Sequence, residues 1–380
     1  MEKIIIVIVV CILSLIETYA MDKFRDGLPS EFDCCVIGNA LYDIEYRVSD
    51  EMLNEWGLVK DETKWVSASE MDDYDRLLKA RGCQIVSEGS GGSGINTAGG
   101  VSRLGLNVVV MGVVADDRIG KQLLTSYDDN KLTFLSVPSV NPLLGTGQCI
   151  VLITPDGKRT MITNLGVSKE ISYVEDYIHI AAKSKYVIFE TFLFEPEITY
   201  NTMVRLAEET KRNGNYVILS LSAEFLAVRY KDRILEFISQ YANIVIGNEA
   251  EARALTGACS GLCAAQHLLD MNKIAAVTCG ENGSFIAGRE SNSETCDEKA
   301  LYKIESPVVG SVIDTVGAGD QYLAGLTWSL FYNLSISDAG KIATLCAVDV
   351  IGKWGALPHH DMKVGIAHMD YAGFNTIRIY

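Results

Sequence analysis

The sequence is short of the residues that punctuate, bridge or bind metal. In 380 residues it has seven prolines and five histidines, and its ten cysteines contain no Cys-x-x-Cys pair. So few prolines, with 48% hydrophobic residues, exclude a largely disordered chain and favour a packed core. Without Cys-x-x-Cys or a histidine cluster beside it, the spacing of a zinc site is missing. His359, His360 and His368 read as solvated surface groups, and the scattered cysteines as reduced core residues in a reducing compartment. Positive charge is scarce too: the net charge of −16 argues against general affinity for DNA, RNA or anionic lipid. No internal repeat or low-complexity tract is present. Long apolar runs are absent except at the start, where Ile4 to Leu13 precede Thr18-Tyr19-Ala20. That segment resembles a secretory signal peptide and is short for a membrane span, while an over-extended start before Met21 and an uncleaved anchor stay open.

What is present is an alternation of strand-like and helix-like segments from residue 33 onward, the pattern of an α/β protein with a mainly parallel sheet. Strands are expected at Cys34–Gly38, Val108–Val114, Tyr186–Phe189, Tyr216–Leu221, Ile244–Ile246 and Ala275–Thr278, with helices at Ile198–Arg212 and Arg233–Tyr241. Gly147–Asn164 reads as a hairpin around Pro155-Asp156-Gly157. With Asp43–Trp65 it is expected to form a small antiparallel lid on one domain spanning 21–380, although an edge hairpin fits as well.

Two glycine loops carry chemistry. Asp314-Thr315-Val316-Gly317-Ala318-Gly319-Asp320 follows an extended apolar segment (Val308, Val309, Val312, Ile313) and precedes a helical run, a strand-to-helix turn. Small residues in such a turn let N–H groups converge on an anion at a helix N-terminus, with an acid beside it. Gly89 to Gly94 satisfies Gly-x-Gly-x-x-Gly, with Asp116 where a dinucleotide site wants its ribose-binding acid. A tight turn packing a helix on a sheet explains that motif equally well.

One resemblance covers both loops. Gly91-Gly92-Ser93-Gly94-Ile95-Asn96-Thr97-Ala98 and Asp314–Asp320 resemble the two signatures of the ribokinase-like (PfkB) sugar and nucleoside kinases. Gly38–Asp43, Gly112–Gly120, Asn248-Glu249-Ala250-Glu251 (NxxE) and Thr278–Gly283 (TxGxxG) resemble further family landmarks, so six fall in order between about Cys34 and Pro358. Gly38–Asp43, Thr154–Met161 and Leu165–Ser168 look closest to the adenosine-kinase-like branch. Cys279, where many relatives carry a basic residue, and Ser220–Glu224, without the usual Asp, depart from the pattern.

The resemblance implies a three-layer sandwich with a β lid, and an ATP- and Mg²⁺-dependent phosphotransferase acting on a nucleoside, adenosine first, or on a free sugar. Asp320 is then the base for the attacking hydroxyl, against a plain helix cap, with the N–H groups of Gly317, Ala318 and Gly319 as anion hole. Asn39, Asp43, Gly91, Gly92 and Asn96 take sugar hydroxyls, although turn chemistry also explains Asn39 and Asp43. Thr278, Gly280 and Gly283 line the nucleotide, while Asp314 and Thr315 shape the loop and are candidates to hold K⁺. Asn248 and Glu251 act on Mg²⁺ through water, or form a helix start, or both. Phe192, Phe194 and Phe225 are candidates to stack a purine. A kinase needing cytosolic nucleotide points to the cytoplasm, with no nucleic-acid or membrane partner for the kinase domain. It is expected as a monomer or homodimer, the lid sheet being a candidate dimer surface. A non-catalytic nucleotide-binding relative and an NAD-dependent oxidoreductase using Gly89–Gly94 are the rivals.

Overall fold

The computed structural model describes residues 31–129, 132–135, 139, 141, 143–171, 174–290, 298–307, 312–352, 354–358 and 375–379. The apolar leader, Val308, Val309 and the three C-terminal histidines named above lie outside them. Numbered along the chain, the strands begin β1 (Phe32–Ile37), β2 (Leu41–Arg47), β3 (Thr63–Trp65), β4 (Ile85–Gly91), β5 (Val108–Met111), β6 (Thr133–Leu135), β7 (Gly147–Ile153) and β8 (Arg159–Asn164). They continue with β9 (Ser184–Glu190), β10 (Tyr216–Ser220), β11 (Ile244–Asn248), β12 (Ile274–Thr278), β13 (Ser284–Arg289), β14 (Lys299–Ile304) and β15 (Thr376–Arg378). The helices are α1 (Asp50–Glu55), α2 (Ala68–Ala80), α3 (Ser93–Arg103), α4 (Arg118–Asp129), α5 (Val174–Ala182) and α6 (Glu197–Arg212). Then come α7 (Glu224–Arg229), α8 (Lys231–Gln240), α9 (Glu249–Thr256), α10 (Gly261–Asp270), α11 (Ala318–Phe331) and α12 (Ile336–Ile351).

Apolar residues on both faces of a strand demand cover on both sides, and the large sheet shows that. Its order is β15-β14-β13-β12-β11-β10-β9-β1-β5-β6, parallel from β6 to β12 and antiparallel beyond. Cys35, Ile37, Val187, Phe189 and Val245 point to one face, where α5, α6, α8, α9 and α10 cover them. Cys34, Val36, Tyr186, Ile188 and Ile246 point to the other, against α3, α4, α11 and α12. The result is the expected three-layer sandwich. Fully burying one Leu, Ile or Phe contributes roughly 1.5–3 kcal/mol, so these two cores dominate the fold's stability.

The smaller sheet has the order β3-β8-β7-β2-β4. The expected hairpin is present as β7–β8, antiparallel like β2–β4, while β2–β7 and β3–β8 run parallel. Tyr46, Ile150, Leu152 and Ile162 face α1 and α2 in a core of their own. By alternation, Leu41, Asp43 and Glu45 share the opposite face with Cys149 and Val151.

One rival reading falls, and three expectations need correction. Gly89–Gly91 end a strand paired antiparallel to β2, so the Gly-x-Gly-x-x-Gly run has no parallel-sheet context and is no dinucleotide fingerprint. β5 stops at Met111, three residues early, where the backbone leaves the sheet. Val312 and Ile313 are 54% and 44% exposed and form no strand. Cys259 and Cys263 are exposed rather than core residues, unlike Cys34, Cys35, Cys149 and Cys346.

Candidate active site

Asp320 lies in the first turn of α11, and the preceding Gly317 takes φ +75° in the left-handed region. A side chain there would be strained, and its Cβ would stand 2.5 Å from the Ala356 carbonyl oxygen. Asp314 Oδ1 accepts from Val316 N at 2.9 Å and Oδ2 from Gly355 N at 3.4 Å, so its carboxylate folds the loop on itself. Ala318 N–H turns back to Thr315 O at 3.3 Å, whereas Gly319 has open space at its Cβ position. A helix N-terminus with an unobstructed glycine face suits an anion.

The other glycine loop meets this one through Asp320 itself. Ser93 Oγ donates to its Oδ1 at 2.6 Å, and Asn96 Nδ2 to its Oδ2 at 3.2 Å. Gln321, fully buried beside it, donates through Nε2 to Asn96 O (3.0 Å) and Ala356 O (2.9 Å). Both signatures thus converge on one carboxylate, although more than two hundred residues separate them in the chain.

A second buried carboxylate, Asp43 on β2, flanks the same loop. Gly91 passes so close that a Cβ there would stand 1.9–2.1 Å from the Asp43 carboxylate, an approach only glycine allows. Asp43 Oδ1 is buried with no hydrogen-bond partner. Asn39 is held by Glu190: its N–H donates to Oε1 at 2.8 Å and its Nδ2 to the same oxygen at 3.3 Å. Gly94 N donates to Glu190 Oε2 at 2.8 Å, so one buried acid ties the β1–β2 loop to α3. Gly92 opens α3 between them.

Asn248 and Glu251 form a complete capping box at the start of α9. Glu251 N donates to Asn248 Oδ1 at 2.9 Å, while Asn248 N and Nδ2 donate to Glu251 Oε2 and Oε1 at 2.9 and 2.8 Å. Thr278 sits beside Asn248 in the β11–β12 register. Gly280 and Gly283 form the turn between β12 and β13, joined to α11 by the hydrogen bond shared by Ser284 Oγ and Tyr322 Oη, 2.9 Å. No group of three or more His, Cys, Asp or Glu able to hold a metal occurs among the described residues.

The charges are one-sided. Burial raises Asp320 above its ordinary value, opposed by the bonds from Ser93 and Asn96 and by the charge of Arg159. Burial pushes Asp43 up to about 7, reinforced by Glu45 and Asp320 and opposed by Gly92 N–H and Arg159. Glu190 and Glu251 also rise to about 7, from burial first, each reinforced by Asp320 and opposed by the groups that donate to it. Glu45 reaches about 7 through burial and the charge of Asp314, with Arg159 opposing; its Oε2 is buried without a partner. Arg159, at the start of β8, is the cation that acts on Asp43, Glu45 and Asp320 together.

Of the three aromatic candidates, Phe194 is fully buried among Tyr200, Tyr230 and Phe237 and belongs to the core, which corrects its expected role. Phe192 and Phe225 do pair, 6.4 Å between centroids, and Trp65 of the small sheet meets Phe192 edge-on at 6.1 Å. The Trp65 Nε1 is buried without a partner. Sequence patterns gave no role to Ser93, Glu190, Arg159, Glu45, Gln321 or Trp65. Only Ser93 and Arg159 lie within motifs that could have drawn notice.

The chain matches the family described as pfkB family carbohydrate kinase over residues 71–360. It is 27% identical to an adenosine kinase of Saccharomyces cerevisiae over 339 residues, 83% of this chain and 95% of that protein. It is 29% identical to a ribokinase of Lactococcus lactis over 269 residues, 70% of this chain and 80% of the ribokinase. The crystal structure of adenosine kinase from Sinorhizobium meliloti superposes with a TM-score of 0.79 and 31% identity, covering 89% of this chain and 99% of that one.

Proposed function

This chain belongs to the pfkB family of carbohydrate kinases, phosphotransferases with an alcohol group as acceptor, and we propose that its acceptor is the primary hydroxyl of a ribose-containing nucleoside, adenosine first. The observation that carries this reading is Asp320, held by Ser93 and Asn96 of the acceptor loop at the mouth of the Gly317–Gly319 helix terminus. A substrate hydroxyl in place of the Ser93 hydroxyl would meet a carboxylate whose proton affinity burial has already raised. The γ-phosphate of ATP would rest on the N–H groups of Gly317 and Gly319, joined by Ala318 N–H once it turns from Thr315 O, and these would stabilise developing charge.

The free oxygen of Asp43 is placed to accept from a ribose diol, with Asn39, Gly92 and Asn96 around it. Trp65, Phe192 and Phe225 supply an aromatic wall for a purine, which favours a nucleoside over a free sugar. The small sheet would act as a lid, carrying Trp65 and Arg159 over the substrate and excluding water. Both carboxylate oxygens of Glu251 already accept from Asn248, so the pair suits Mg²⁺ bound through its water shell; the metal would neutralise phosphate charge. Cytoplasmic ATP fits this chemistry. Similarity to a ribokinase favours free ribose as the second reading.

ADP release measured with a panel of nucleosides and sugars, for the wild type and Asp320→Asn, tests the proposal. Turnover with adenosine above all sugars, lost about 10²–10⁴-fold in the variant while ATP still binds, supports it. Unchanged turnover in Asp320→Asn overturns the base, and preference for free ribose overturns the nucleoside.

A further inference from the structure

Among the described residues, two of the cysteines lie outside every core. Cys259 and Cys263 are both exposed, and their sulfurs stand 3.2 Å apart. Ser260 between them caps α10, accepting from Cys263 N at 3.2 Å. The Ser260 hydroxyl and the Cys259 sulfur hold the Cys263 thiol below its ordinary range, whereas burial pushes Cys34, Cys35, Cys149 and Cys346 up. Cys263 is therefore both accessible and the more reactive of these thiols. A disulfide needs sulfurs about 2.05 Å apart, so closure must bring the two about 1 Å nearer.

The pair is wired to the nucleotide side. Gly261 N–H donates to Glu249 Oε1 at 2.8 Å, and Glu249 directly follows Asn248. Cys279, which opens the Gly280–Gly283 turn, places its sulfur 3.0 Å from the Cβ position of Gly261. The Cys259–Cys263 segment thus bonds to Glu249, the neighbour of Asn248, and lies beside Cys279.

We propose that Cys259 and Cys263 form a dithiol modification site that a small-molecule disulfide closes to an intramolecular disulfide, weakening nucleotide binding at the adjacent turn. The Cys263 thiolate attacks one sulfur of the external disulfide, whose S–S bond breaks and releases a thiolate with the electron pair. The Cys259 thiolate then attacks the Cys263 sulfur, forming the internal bond and expelling the second thiolate. The two cysteines lose two electrons and two protons, and the external disulfide becomes two thiols. The effect on nucleotide rests on the kinase reading above; the dithiol does not.

The test treats the reduced full chain with glutathione disulfide and follows intact mass, peptide mapping and ATP titration. Expected is a loss of about 2 Da mapped to the Cys259–Cys263 peptide and reversed by dithiothreitol, as two thiols become one disulfide. ATP affinity is expected to fall several-fold and to recover on reduction. Cys259→Ser and Cys263→Ser should show neither the mass loss nor the fall in affinity. Stable glutathione adducts on both cysteines, or closure with ATP affinity unchanged, would overturn the proposal. Failure of the reduced wild type to bind ATP would instead defeat the kinase reading and the nucleotide effect, while the mass shift still decides the dithiol.

Discussion

A base that must strip a hydroxyl, the role proposed for Asp320, gains from surroundings that make its own proton harder to lose: burial raises Asp320, while Arg159 holds it back. Arg159→Ala removes that restraint from Asp320 and Asp43 together, so both become protonated at higher pH. The acid limb of the kcat profile should therefore move to higher pH, with kcat about 10²-fold lower, as for loss of one stabilising donor; an unmoved limb would refute the role of Arg159. Gly91→Ala drives a methyl into the Asp43 carboxylate. Its expected signature is a KM for the nucleoside raised about tenfold or more with ATP binding kept, the scale of one lost charged hydrogen bond. What the chain reveals on reading follows from locality. Gly317 and Asp320 were legible because a backbone that must turn and open a helix leaves its demand in adjacent letters. Glu190 was not, since its work is to join Asn39 and Gly94, far from it in the chain and unmarked by any spacing.

At the scale of elements, the same contrast holds. The central strands were legible from apolar runs, and the β7–β8 hairpin from its Pro-Asp-Gly turn. The parallel joint of β2 to β7 was not, because pairing between remote segments has no local pattern. Nor was the loss of Phe194 to the core, since an aromatic on a short helical turn reads alike for a pocket and for packing. In the proposed reading helix α9 would carry a double duty, as capping box and as metal side. Asn248→Ala should lower stability by about 1 kcal/mol, read from the shift of a urea midpoint. It should also raise the Mg²⁺ concentration needed for half-maximal rate; a stability loss with unchanged Mg²⁺ demand would leave the box purely structural.

For the molecule as a whole, Asp43, Glu45, Glu190 and Glu251 all reach about 7, so the folded chain holds protons that the unfolded chain gives up near its ordinary carboxylate values. Their contribution to stability is fully present below those values and is lost as pH rises toward 7. Each tenfold difference in proton affinity between the folded and unfolded chain is worth about 1.4 kcal/mol. Calorimetry of the ligand-free protein should show Tm falling between pH 5 and pH 8, with a shallower fall in Glu190→Gln. The sheet order has a separate consequence, for synthesis. Strand β1 already lies between β5 and its later neighbour β9, after which β10 to β15 join one edge in chain order. A chain leaving the ribosome can therefore lay down its sheet as it emerges, each strand finding a finished edge. Because α11 arrives near the end, a nascent chain would carry Asp43 and Asn96, the proposed acceptor walls, well before it holds Asp320, the proposed base.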